Sequence, residues 1–203
     1  MRPSSSPMAG GTWPVMLTPF TASGAIDWPA LDALVEWYLA AGVSGLFAVC
    51  LSSEMFALTG DERLALAAHV VKQVAGRVPV VATGVFAPAP AASQAKAIRA
   101  MAATGVDAVV LAPSLLAAGN EDDAALHRRL EALLADTGKI PLGLYECPRP
   151  YHRLLSPRLF GWAASTGRFH FHKDTSCSID PLAEKARQAQ GTPLTVLNAN
   201  CPT

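Results

Sequence analysis

An excess of charge of either sign and long apolar runs are both missing from this sequence. Its 203 residues include 16 Lys and Arg against 16 Asp and Glu, and like charges do not form blocks. A nucleic acid or an anionic membrane is therefore not an expected partner. No apolar run approaches the ~18 residues of a membrane-spanning helix, and the Ser/Pro-rich residues 1–10 lack the apolar segment of a secretory signal. We expect a disordered leader at residues 1–10 and a soluble, cytoplasmic domain at residues 11–203.

Short apolar runs alternate with longer stretches of helical periodicity. The runs recur about every 30 residues, the length of one βα unit. They are continuously apolar, as parallel strands are when both sheet faces are covered. The runs are Trp13–Thr18, Gly45–Cys50, Val78–Ala82, Asp107–Ala112, Ile140–Tyr145, Arg168–Lys173 and Leu194–Asn198. Helix starts are marked by the capping-box pattern Thr59-Gly-Asp-Glu62 and by Ser156-Pro157. The sequence predicts seven consecutive βα units and no second domain.

Two α/β architectures fit such a pattern, a (β/α)8 barrel and a doubly wound sheet. The glycine-rich GxGxxG turn that often follows the first strand of a doubly wound sheet is missing, and Thr18-Pro-Phe-Thr21 stands there instead. We therefore expect a (β/α)8 TIM barrel with only about seven βα units in this chain. A complete barrel takes about 250 residues, so either the sequence is truncated or the last strand and helix come from elsewhere.

Paired cysteines are missing as well. Cys50, Cys147, Cys177 and Cys201 form no CxxC pair, which indicates free thiols in a chain without a secretory signal. All four fall at the same end of predicted strands, and His152 lies in a neighbouring loop, so a thiolate-rich metal site is an alternative. Without paired spacing, small packing residues are favoured, and no metal is expected.

Lys173 is the strongest candidate for chemistry. It ends the apolar run Arg-Phe-His-Phe-His-Lys, and burial at a strand end would disfavour its ammonium form and make the amine nucleophilic. A lysine at the barrel rim that reaches into solvent is an equal alternative from position alone. If Lys173 points into the barrel, the strand period of two sends His170 and His172 outward, as buried, hydrogen-bonded residues.

Three motifs occur in a fixed order along the chain. Cys50-Leu-Ser-Ser-Glu54 precedes Gly143-Leu-Tyr-Glu-Cys-Pro148, which precedes the run that ends in Lys173. In order and spacing, these motifs resemble those of the pyruvate-dependent class I aldolases, the dihydrodipicolinate synthase / N-acetylneuraminate lyase family. The resemblance extends from about residue 11 to the C-terminus.

This resemblance implies a Schiff-base-forming lyase or aldolase that acts on pyruvate or another 2-keto acid, with an aldehyde as a candidate second substrate. Lys173 matches the Schiff-base lysine and Tyr145 the proton-shuttling tyrosine. Ser52, with the N–H of Ser53, matches the group that binds the keto-acid carboxylate. Asn198 and Asn200 are either hydrogen-bond partners of a hydroxylated substrate or turn residues. The resemblance implies no metal or organic cofactor, and it implies a homo-oligomer.

The sequence also departs from the family pattern. Leu51 replaces the threonine that relays protons, Ser114-Leu115 replaces an aromatic pair at a subunit interface, and Pro150 replaces an arginine that binds the aldehyde substrate. Two alternatives therefore stand beside the enzyme. One is a catalytically silent protein that binds keto acids or sugar acids on the same barrel, and the other is a non-functional fragment.

Overall fold

The computed structural model describes residues 8–199. Within them, six parallel strands form one sheet in the order of the chain. The strands are β1 (Leu46–Val49), β2 (Val80–Thr83), β3 (Ala108–Leu111), β4 (Leu142–Tyr145), β5 (Phe169–Asp174) and β6 (Thr195–Asn198). The helices are α1 (Trp28–Ala40), α2 (Gly60–Val74), α3 (Ala91–Ala102), α4 (Pro113–Leu116), α5 (Asp123–Asp136), α6 (Pro157–Ser165) and α7 (Ile179–Ala189), with a 3₁₀ turn at Leu51–Ser53.

The strand order confirms the barrel class. Each strand pairs in parallel with the next along the chain, from β1 to β6, whereas a doubly wound sheet reverses its order at a switch point. All residues of β1 to β4 are buried, as expected for strands covered on both faces. Within residues 8–199, β6 does not pair with the first apolar run.

The first predicted run, Trp13–Thr18, forms only a single bridge and not a strand. Val15 pairs in parallel with Phe47, and the N–H of Met16 donates to the carbonyl of Phe47 at 3.0 Å. Pro14 and Pro19, at either end of this stretch, have no N–H to donate to a ladder. The segment nevertheless lies beside β1, so β1 to β6 take the second to seventh strand positions of the barrel.

The predicted helix starts are confirmed. Thr59 and Glu62 form a reciprocal capping box at the start of α2. The hydroxyl of Ser156 accepts from the N–H of Leu159 at the start of α6. These local bonds satisfy N–H groups that have no partner inside the helix. Of the predicted leader, residues 1–7 lie outside the described part of the chain, and the carbonyl of Met8 accepts a hydrogen bond from Thr195 at 2.6 Å.

An aromatic cluster fills the inside of the barrel. The ring of Phe171 lies 5.5 Å from that of Trp13 and 5.4 Å from that of Phe47. Gly45 makes room for the indole, because a Cβ at this position would lie 2.4 Å from Trp13 Cη2. The cluster forms an aromatic floor below the carboxyl ends of the strands.

Substituting Gly45 with Ala should therefore destabilise the protein. The added methyl group cannot coexist with the rigid indole of Trp13, and such overpacking costs about 1–3 kcal/mol. Gly60→Ala is the matched control, because a Cβ at position 60 has nothing within 4 Å and alanine favours helix. Denaturant unfolding of both variants checks this. Equal midpoints for the two would contradict the packing argument.

Candidate active site

The structure brings Lys173 and Tyr145 together. They are register partners across β4 and β5, so their side chains lie on the same face of the sheet. Nζ of Lys173 lies 4.4 Å from the centre of the Tyr145 ring. Both residues lie at the carboxyl ends of their strands, where barrel enzymes carry their reactive groups.

The amine of Lys173 stands above the aromatic floor. A cavity of about 240 Å³ reaches it, lined by Trp13, Pro14, Val15, Phe47, Phe171, Lys173, Leu197, Asn198 and Ala199. Lys173 itself is half-buried. Burial lowers the pKa of its amine below the ordinary lysine value, and the thiols of Cys50 and Cys147 oppose this shift only in part. A larger fraction of the amine is therefore neutral near pH 7 than for a lysine in water.

Tyr145 is protonated in this environment. The side chain is buried, and its ring meets that of Phe47 edge to face at 5.6 Å. Burial, with a smaller contribution from the Cys147 thiol, raises the pKa of the phenol well above its ordinary value. In the resting protein the hydroxyl is therefore a proton donor and not a base. A positive charge on a neighbouring imine would reverse this preference by favouring phenolate.

The two serines of the loop after β1 differ in exposure. Ser52 is exposed, whereas Ser53 is fully buried. The Ser53 hydroxyl lies 2.8 Å from the carbonyl of Met16 and accepts from the N–H of Cys50 at 3.1 Å. The N–H of Ser53, the predicted carboxylate donor, donates to the Cys50 carbonyl at 3.1 Å within the turn. Ser53 therefore holds the loop in place and leaves Ser52 as the serine that solvent reaches.

The two predicted asparagines lie near the end of the last strand. Asn198 ends β6, is exposed and lines the cavity that reaches Lys173. Asn200 lies outside the described residues, as does Cys201. The remaining cysteines are free thiols, with Cys50 and Cys147 buried and Cys177 exposed.

A buried ionic cluster behind the strands was missed by the sequence analysis. Nζ of Lys185, on α7, lies 2.5 Å from Oε1 of Glu146 and 2.5 Å from Oδ2 of Asp174. The two acids directly follow Tyr145 and Lys173, so the strand pleat turns their side chains to the opposite face. In sequence, Lys185 looks like one more charged residue of a surface helix, and only packing reveals its burial.

Glu146, His172 and Asp174 together offer three ligand atoms within 4.8 Å of one another, a spacing that suits a metal ion. The ammonium of Lys185 already lies against both carboxylates. Burial raises the pKa of Asp174, but hydrogen bonds from Lys185 and Ser176 outweigh it and keep that pKa below its ordinary value. The Lys185 ammonium thus supplies the positive charge that a metal ion would bring to these two carboxylates.

His172 is buried as predicted, but the prediction that it is hydrogen-bonded is wrong. Neither ring nitrogen has a hydrogen-bond partner among the described residues, because Lys185 engages the neighbouring carboxylates and the ring packs against Phe160 at 5.0 Å. Burial and then the positive charge of Lys185 lower the pKa of His172 from 6.5 to about 3. The imidazole is therefore neutral at all but strongly acidic pH.

This depressed pKa predicts an acid-sensitive fold. Below about pH 6.5 the unfolded chain takes up a proton at His172, whereas the folded chain does so only near pH 3. Stability is lost as pH falls through this window, on the order of 3 kcal/mol by about pH 4. The free energy of unfolding of His172→Leu should therefore fall by about 3 kcal/mol less than that of the parent over the same pH range. Urea unfolding at a series of pH values measures this difference. Parallel pH curves for variant and parent would contradict the assignment.

The fold is a parallel βα barrel that carries Lys173 and Tyr145 at the carboxyl ends of two adjacent strands. Residues 8–165 match the family model described as the Dihydrodipicolinate synthetase family. The chain belongs to this family, and the predicted family is therefore confirmed.

Two curated relatives are named 4-hydroxy-tetrahydrodipicolinate synthase. The protein of Saccharophagus degradans is 35% identical over 145 residues, which cover 70% of this chain and 47% of the relative. That of Thermomicrobium roseum is 32% identical over 178 residues, which cover 87% of this chain and 57% of the relative. The chain thus spans about half the length of the curated relatives it matches.

Solved structures share the fold. A dihydrodipicolinate synthase of Bacillus anthracis has a TM-score of 0.80 at 23% identity, over 93% of this chain and 62% of that chain. An E. coli K12 prophage protein of the dihydrodipicolinic acid synthase family, described in complex with pyruvate, has a TM-score of 0.78 at 28% identity, over 92% and 62%. No helix among the described residues is long and apolar enough to cross a bilayer.

Proposed function

We propose that this chain carries the active site of a Schiff-base-forming lyase or aldolase that acts on pyruvate or another 2-keto acid. The observation that carries the proposal is the position of the Lys173 amine, 4.4 Å from the centre of the Tyr145 ring at the strand ends. Lys173 has no carboxylate within ion-pair distance among residues 8–199. An amine that is half-buried without a counter-ion is suited to nucleophilic attack.

In the proposed reaction, the neutral Lys173 amine attacks the keto carbon and forms a carbinolamine. The Tyr145 hydroxyl donates its proton to the departing hydroxyl oxygen, which leaves as water, and a protonated imine remains. The imine charge then favours the tyrosinate, which removes a proton from the adjacent carbon. This gives the enamine from which bonds to a second substrate can form or break.

The substrate carboxylate needs hydrogen-bond donors near the imine. Ser52 is proposed as its anchor, because it is exposed and stands at the tip of the 3₁₀ turn. Ser53 is assigned the supporting role of holding that turn through its buried hydroxyl. Asn198, which lines the same cavity, is proposed to bind a polar group of the substrate. The pyruvate complex of the E. coli relative supports a keto-acid ligand.

Homo-oligomerisation and a cytoplasmic location stay predictions.

A second candidate function is keto-acid binding without turnover. Leu51 favours it, because a hydrocarbon side chain stands in the 3₁₀ turn where the family pattern has a hydroxyl that relays protons. The two candidates share the imine and differ in the proton transfer that follows. Exchange of the pyruvate methyl hydrogens with deuterated water therefore separates them, since only the enzyme forms an enamine.

Borohydride trapping tests the proposal. Incubation with pyruvate and then borohydride should add the mass of a reduced pyruvate adduct, and peptide mapping should place it on Lys173. Lys185 is the internal control, because it is also buried but is held by two carboxylates. The same experiment with 2-ketobutyrate extends the test to a larger keto acid. No adduct with either, or an adduct spread over all lysines, would refute the function.

A further inference from the structure

We propose that Lys185 is a positioning residue for the reactive pair, acting from outside the barrel through Glu146 and Asp174. The inference rests on the proposed function, and it assigns a task to a buried ionic cluster that takes no part in the reaction itself. The cluster lies behind the strands, on the side of the sheet opposite the amine and the phenol.

All four oxygens of the two carboxylates are engaged. Oε1 of Glu146 accepts from Lys185 and from the N–H of Leu155 at 2.9 Å, and Oε2 accepts from the N–H of Thr175 at 3.1 Å. Oδ2 of Asp174 accepts from Lys185. The other oxygen, Oδ1, accepts from the N–H of Ser176 at 2.9 Å and from its hydroxyl at 2.7 Å. The side chains are therefore fixed in single orientations.

The cluster joins the ends of the two strands that carry the site. Glu146 continues β4 directly after Tyr145, and Asp174 ends β5 directly after Lys173. One ammonium bound to both carboxylates holds these two backbone positions at a set separation. The N–H of Glu146 also donates to the carbonyl of Lys173 at 3.2 Å. Any shift between the carboxylates therefore moves the Lys173 amine relative to the Tyr145 hydroxyl.

Burial distinguishes this cluster from an ion pair at the protein surface. Lys185 is 2% exposed, whereas the Glu36–Arg77 pair at 2.6 Å is largely in solvent. A buried ion pair often contributes little net stability compared with apolar residues of the same volume. It does impose one geometry, because each buried charge must keep its partner. A misplacement of ~1 Å between reacting groups can cost about 10²-fold in rate.

Two isosteric variants test the inference, Glu146→Gln and Asp174→Asn. Each keeps the shape of the side chain but removes one charge from the contact with Lys185. Their melting curves identify a temperature at which both are folded. At that temperature, pyruvate trapping at Lys173 should be slowed by about tenfold or more. Glu36→Gln, in the exposed pair, is the matched control and should trap at the parent rate.

A second readout does not depend on imine chemistry. Acetic anhydride labels neutral amines, and mass spectrometry of the peptide with Lys173 gives its labelling as a function of pH. In the amide variants the half-labelling pH should rise towards that of an exposed lysine, because a displaced amine reaches water. A purely structural cluster would change the melting temperature and leave this pH profile in place.

Lys185→Met removes the ammonium and leaves two buried carboxylates without it. This variant is therefore compared with the double variant Lys185→Met/Asp174→Asn, in which one of the two negative charges is also removed. The double variant should regain part of the melting temperature without regaining the trapping rate. Parent-like trapping and an unshifted labelling profile in both amide variants would overturn the inference. If the parent protein forms no pyruvate adduct, the proposed function fails, and the labelling profile alone then decides whether Lys185 positions Lys173.

Discussion

Tyr145→Phe is expected to slow the exchange of the pyruvate methyl hydrogens with deuterated water by about 10²-fold or more. The variant removes only the hydroxyl. The ring keeps its edge-to-face contact with Phe47 at 5.6 Å and its place 4.4 Å from the Lys173 amine. Proton transfer is therefore lost while the environment of the amine is preserved. Proton NMR of the methyl signal measures the exchange rate directly.

Trapping should survive in Tyr145→Phe, although more slowly, because Lys173 still forms the imine. This split between slowed imine formation and nearly abolished exchange distinguishes a proton carrier from a packing residue. Tyr38→Phe is the matched control, since Tyr38 is also buried but lies on α1, outside the strands. Exchange at the parent rate in Tyr145→Phe would remove this tyrosine from the mechanism and favour water as the carrier.

Phe171→Ala is expected to cost about 3–5 kcal/mol of unfolding free energy, the range for truncating a fully buried phenylalanine. The ring is 1% exposed, and it packs against both Trp13 and Phe47. A Cβ on Gly143 would lie 3.0 Å from the Phe171 Cβ, so the backbone of β4 is close on that side. The barrel interior therefore has little freedom to collapse into the space left by the ring.

The same variant should also act on Lys173. Water that enters the emptied floor would reduce the desolvation of the amine, and its pKa would rise towards the ordinary lysine value. Guanidinium unfolding and the pH profile of Lys173 acetylation measure the two effects. Phe56→Ala is the control, since Phe56 is 38% exposed and such surface changes usually stay within about 0.5 kcal/mol. A stable Phe171→Ala with an unchanged profile would show that the floor does not keep the amine dry.

Patterns within a few residues predicted most of the architecture. The continuously apolar runs around β1 to β6 and the capping box at Thr59 lie in one stretch of chain, where periodicity and cap chemistry act directly. The prediction of a strand at Trp13–Thr18 is wrong, because the prolines at 14 and 19 interrupt the ladder and apolar content alone does not account for them. The apolar runs and the capping box depend only on residues that are neighbours in sequence.

The candidate site was predicted in part. The sequence indicated Lys173 and Tyr145 as partners, and the parallel register of β4 and β5 brings them together. It also indicated the N–H of Ser53 as a donor to substrate, whereas the turn engages that N–H with the Cys50 carbonyl. Hydrogen bonding inside a three-residue turn depends on backbone angles that residue identity does not specify.

The sequence by itself determined the succession of parallel strands and which strand ends carry an amine and a phenol, because strand period and chain order fix these. Only the tertiary structure decided that Lys185 is buried between Glu146 and Asp174, 39 and 11 residues away along the chain. A helix lysine has the same local pattern whether its tip reaches water or a pair of carboxylates. The difference comes from the packing of α7 against α6 and β6, which brings Lys185 to carboxylates that are distant in sequence.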